Sequence, residues 1–143
     1  MTREIRDFAL SFGYGFLIWL TTLLAGSFIL AVMLTGLAGG ILDFAHFVIL
    51  IAAWYSVPAF VLLSLFMWVV GLLHISNRFK LLLILIFAFI LCFSTFYYSI
   101  GDKEFILQWE GLVLFSFIIY CLTLLGSSAF FGMKFLKSLS LPK

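Results

Sequence analysis

Four long apolar runs, separated by short polar intervals, set the pattern of this chain. The runs cover residues 8–37, 44–73, 81–100 and 111–133. A helix crosses the hydrocarbon of a bilayer with about 20 mostly apolar residues, and each run is that long. The first two exceed the requirement, which predicts tilt, bending or projection beyond the hydrocarbon. Helix is the conformation expected throughout. Open strands leave backbone groups unbonded in lipid, and no ten-residue alternation of a membrane barrel is present.

The intervals read as turns. Gly36, Gly39 and Gly40 close the first run, "HISNRFK" (74–80) separates the second and third, and "GDKEFILQWE" (101–110) separates the third and fourth. Connections this short join antiparallel neighbours. The expected fold is all-α and integral to a membrane: four transmembrane helices in an up-down-up-down antiparallel bundle. Residues 1–143 then form a single four-helix transmembrane domain.

Composition strengthens this picture. Hydrophobic residues make up 66% of the 143 and charged ones 10%, against about 25% charged in soluble domains. A small soluble core has no room for so much apolar surface. The net charge of +2 comes with no basic run, so nucleic acid is not an expected partner. The basic residues also orient the chain. Arg3, Arg6, Arg78, Lys80, Lys134, Lys137 and Lys143 fall on one side of the expected bundle, and Lys103 on the other. The positive-inside rule then puts both termini in the cytoplasm, at an inner (plasma) membrane. The first run is about twice the 7–15 apolar residues of a signal peptide, so it is expected to be a retained helix.

Trp68 and Trp109 fall near helix ends, where an indole anchors at the headgroups. Trp19 and Trp54 fall deeper, facing protein or lipid tails. Pro58 removes one backbone bond from the second helix and marks the expected bend. The closing "MKFLKSLSLPK" (133–143) is basic and mildly amphipathic, and is expected to lie on the membrane surface or, as the second choice, to bind a partner.

Lipid removes the hydrophobic drive between helices, so small residues become the packing signal. Ser27, Ala31, Thr35 and Gly39 recur every four residues on the first helix. Ala88, Cys92, Thr95 and Ser99 form a similar face on the third, and Ser116, Tyr120, Thr123 and Ser127 on the fourth. Ala52, Ser56 and Ala59 do so on the second. These faces either meet inside one bundle or, the first helix's in particular, receive another protein or a second copy. Cys92 and Cys121 come to similar depth on neighbouring helices, as small packing residues.

Candidate chemistry is sparse. An ionisable group deep in the bilayer usually marks a functional site, and every Asp, Glu, Lys and Arg here lies at a terminus, in an interval or at a run's edge. Proton-coupled transport is disfavoured on that ground; the small multidrug transporters share this size and helix count but need a glutamate within their first helix. Asp43, His46, Asp102, Glu104 and Glu110 gather on the outer side. Asp43 and His46 share a face if the second helix begins by residue 43. Helix capping by Asp43 and Glu110 is the simplest use, recognition of a partner the next, and metal or proton chemistry the least favoured.

His46 and His74, the two histidines, are separated along the second helix by roughly 42 Å at 1.5 Å per residue, too far to clamp a haem. No catalytic, metal or cofactor motif is visible, so neither catalysis nor a cofactor is expected. The reading reached is a non-enzymatic multi-pass protein acting by helix–helix interaction in the lipid bilayer. It would be an accessory subunit of a larger membrane complex, or an immunity- or exclusion-type inhibitor. The partner is another membrane protein or further copies of the chain, with candidate contacts Ser27, Ala31, Thr35, Gly39, Asp43, His46 and Glu110. The alternative is a homo-oligomeric channel or carrier for an uncharged or lipid-like substrate, and a third, least favoured reading is a membrane enzyme acting at the outer surface through Asp43, His46 and Glu110.

Overall fold

Helix runs through nearly all of the chain in a computed structural model, which describes residues 3–35, 41–99 and 103–140. The elements are α1 (Arg3–Thr35), α2 (Ile41–Leu72), α3 (Asn77–Ser99) and α4 (Lys103–Ser140). Each contains a stretch long and apolar enough to cross a membrane. Their outward faces carry the expected lipid-facing signature, with Trp54 82% and Tyr97 70% exposed among many bare Leu, Ile and Phe side chains. A soluble monomer rarely shows apolar surface on this scale.

Each helix packs on two others: α1 on α2 and α4, and α3 on the same two. Side-chain pairs give the directions. Phe8 meets Trp68 while Trp19 meets Phe60, so α1 and α2 run oppositely. Thr22 meets Ser127 while Ser27 meets Tyr120, so α1 and α4 do too. The core lies towards the end that holds the α2–α3 turn. It is built from Ile18, Leu63, Met67, Val70, Ile84, Ala88, Phe135 and Leu136. Phe66 and Phe87 stack across α2 and α3 with centroids 4.0 Å apart.

The α2–α3 turn has its own polar fastening. Leu73 N–H donates to the Val70 carbonyl, and Ser76 Oγ accepts from Phe79 N–H in the manner of an N-cap. Lys80, 8% exposed, points its Nζ back to the Gly71 carbonyl at 2.9 Å. A cation there faces the carbonyl-rich end of α2, where the helix dipole favours it.

Several expectations need correction. The interval 101–110 is helical from Lys103, so α4 starts eight residues before the expected 111. No glycine or proline interrupts 103–110, and Lys, Glu, Leu and Gln are good helix formers. Charge in that stretch does not end the helix. For the same reason α1 begins at Arg3 and α3 at Asn77, ahead of the expected 8 and 81.

The basic tail is not a separate surface segment. α4 continues to Ser140, and Phe135, the largest fully buried side chain, lies in the core edge-on to Tyr14. Lys134 and Lys137 occupy the exposed side of that turn, with Lys134 Nζ 4.3 Å over the Phe130 ring. Trp68 also departs from its expected anchoring role: its Nε1 is buried with no hydrogen-bond partner among the described residues. Pro58 lies within α2, which stays helical on both sides of it.

Candidate functional site

α1 carries the interior polar seam, because its small and hydroxyl-bearing residues recur on the face that meets α2 and α4. Ser11 is fully buried and donates to the Phe8 carbonyl at 2.7 Å. One turn on, Gly15 brings α1 against Ser64 of α2. A Cβ at Gly15 would stand 3.1 Å from Ser64 Cβ and 3.3 Å from its Cα. Trp19 Nε1–H donates to Ser56 Oγ at 2.8 Å. Thr22 and Ser127 bond hydroxyl to hydroxyl at 2.9 Å, and Ser27 bonds Tyr120 at 2.5 Å. Gly26 admits the Tyr120 ring, whose nearest carbons would sit 2.8 Å from an added Cβ. Bonds between membrane helices average about 0.6 kcal/mol each, so these three contribute roughly 2 kcal/mol together, and they fix register.

Beside the seam lies a partly open cavity of about 80 Å³, bounded by all four helices. Trp19 and Thr22 border it from α1, Ser56 and Ala59 from α2, Ala88 and Cys92 from α3, and Tyr120 and Leu124 from α4. The small face expected on α3 therefore points inward, with Ala88 and Cys92 buried. Cys92 and Cys121 are both free, buried thiols, and they approach each other across α3 and α4. This is the matched depth that the α3–α4 hairpin predicts.

Ser27 and Ala31 are fully enclosed within the single chain. Thr35 is the last described residue of α1, and Gly39 lies outside the described residues. Asp43 falls in the first turn of α2, which begins at Ile41, so it follows the cap position rather than occupying it. A helix starting there does place Asp43 and His46 three residues apart on one face. His46 is exposed. Glu110 is inside α4, past its first two turns, and so cannot cap it. The side chains of Thr35, Asp43 and Glu110 are outside the described residues, as is Asp102.

Arg6 and Asp7 pair at 3.1 Å near the start of α1. They share an end of the bundle with the α2–α3 turn and the last turns of α4. Among the described residues no three His, Cys, Asp or Glu side chains come together as a metal site. Three contacts escaped sequence reading: Gly15 with Ser64, Trp19 with Ser56, and Lys80 with Gly71. The first had a usable signal in the glycine at 15, since a helical glycine often marks close approach. No protein-family model, curated protein or solved structure matches the chain.

Proposed function

We propose that the chain is a four-crossing inner (plasma) membrane protein, up-down-up-down with both termini in the cytoplasm, that acts by helix–helix docking within the bilayer and not by catalysis. Two roles fit it: accessory subunit of a larger membrane complex, or immunity- or exclusion-type inhibitor of a foreign membrane protein. The observation that carries the reading is where polarity lies. The Trp19 indole and the hydroxyls of Thr22, Ser27, Ser56, Tyr120 and Ser127 are bonded across the helices while those of Ser64 and Ser128 are buried without a partner among the described residues, described charges stay near helix ends, and the mid-helix outer surface is dominated by bare aliphatic and aromatic side chains. A surface of that kind offers packing and little else to its surroundings, and packing is what joins helices in lipid. Recognition at the end opposite the basic one belongs to the same proposal, through Thr35, Gly39, Asp43, His46 and Glu110. Ser27 and Ala31 would support such a face from within.

Purification in a gentle detergent followed by mass measurement of the intact assembly tests this. A stable complex with an unlike membrane chain is the expected result. A lone monomer that no membrane protein accompanies would count against docking. The cavity bordered by all four helices favours a second reading, a homo-oligomeric channel or carrier for an uncharged or lipid-like substrate. A ring of identical copies in the same measurement would select it.

A further inference from the structure

Helices held apart by large side chains at one level leave a gap where small ones face each other at the next. On α2 and α3 the stacked Phe66 and Phe87 set the separation. Beyond them Ala59 of α2 and Ala88 and Cys92 of α3 border the 80 Å³ cavity. Polar atoms on its wall are already engaged. Trp19 Nε1–H is bonded to Ser56, Thr22 to the Ile18 carbonyl and Ser127, Thr95 to the Leu91 carbonyl, and Tyr120 to Ser27. A buried water typically makes two to four hydrogen bonds, and an apolar cavity without such partners stays dry.

No charged side chain borders the space, so a headgroup has nothing to bind there. If the chain spans a membrane as proposed above, the medium outside the opening is hydrocarbon. We propose that the cavity binds one acyl chain of a surrounding phospholipid and holds a short segment of it among the four helices. Its volume is about half that of a 150 Å³ cavity known to admit benzene, which suits a narrow run of methylenes better than a ring. The chain would complete the packing where α2 and α3 do not meet, leaving its headgroup at the membrane surface.

The test uses the full chain in phosphatidylcholine vesicles that include a phosphatidylcholine with a photoreactive diazirine midway along one acyl chain. Adducts are mapped by mass spectrometry after irradiation. The proposal predicts adducts on Leu63 and Cys92, which border the cavity and keep only a sliver of accessible surface, as well as on outward Trp54 and Leu122. Ala59→Leu, which adds three carbons towards the cavity, should abolish the first set and spare the second; Ala88→Leu is the independent repeat. Adducts confined to Trp54 and Leu122 would overturn the proposal. So would wall adducts that persist unchanged in both variants. Loss of labelling at Trp54 and Leu122 as well would refute the membrane-spanning reading itself, which separates the two failures.

Discussion

Gly15→Ala is the sharpest perturbation of the α1–α2 seam. In an open helical position, replacing Gly by Ala stabilises by about 0.5–1 kcal/mol through lost backbone freedom in the unfolded chain. Gly13 is such a position: a Cβ there meets nothing within 4 Å. At Gly15 the same Cβ lies 3.1 Å from Ser64 Cβ and 3.3 Å from Ser64 Cα. The serine hydroxyl can rotate away, but Cα belongs to the backbone of α2, so the helices must separate by a few tenths of an ångström. Overpacking of this kind costs about 1–3 kcal/mol. Gly15→Ala should therefore be less stable than Gly13→Ala by about 1–3 kcal/mol, with the propensity gain common to both. Reversible unfolding in mixed micelles, followed by far-ultraviolet circular dichroism, measures the difference. Adding Ser64→Gly to Gly15→Ala should recover part of the loss, as neighbouring sites couple in a double-mutant cycle. Equal stability of the two single variants would refute the close approach of α1 and α2.

Tyr120→Phe removes the bond to Ser27 while keeping the ring, and should cost about 0.6 kcal/mol, at most about 1.7, in the same unfolding assay. Lys80→Met keeps the stem and loses the contact to the Gly71 carbonyl; a loss of about 1.5–3 kcal/mol is expected for a hydrogen bond to a charged group, and no loss would dismiss that fastening. Phe135→Ala opens the core and should cost about 3–5 kcal/mol. A chain ended after residue 133 should fail to give a folded monomer by size-exclusion chromatography, whereas an independent surface tail would be dispensable.

Much of the fold was legible because its signal is cumulative. Apolar runs of membrane-crossing length cannot be hidden, and spacing alone picked out the small faces of α3 and α4, whose inward placement the burial of Ala88, Cys92 and Ser127 then decides. Helix ends were the weak point. Lys103 to Glu110 and Lys134 to Lys137 read as polar breaks, yet both are helix: charge reports the chemical surroundings of a helix and glycine or proline reports its interruption. Phe135 was hidden for the same reason, being an apolar residue flanked by lysines on a turn that faces the core on one side only. Along α1 the four-residue stripe from Ser27 to Gly39 stood out, but the seam's lower half did not. Gly15, Trp19 and Thr22 differ too much in size to read as one face, and only the partner helices show that they share it.

The account rests on alternate connections of the chain lying on opposite sides of a membrane. Labelling of Ser76→Cys and, separately, Asp102→Cys with a membrane-impermeant maleimide in intact cells tests it directly, against a background with Cys92 and Cys121 replaced by alanine. Residue 102 should react in intact cells, and residue 76 only after the membrane is opened. Reaction of both from the same side would contradict the account.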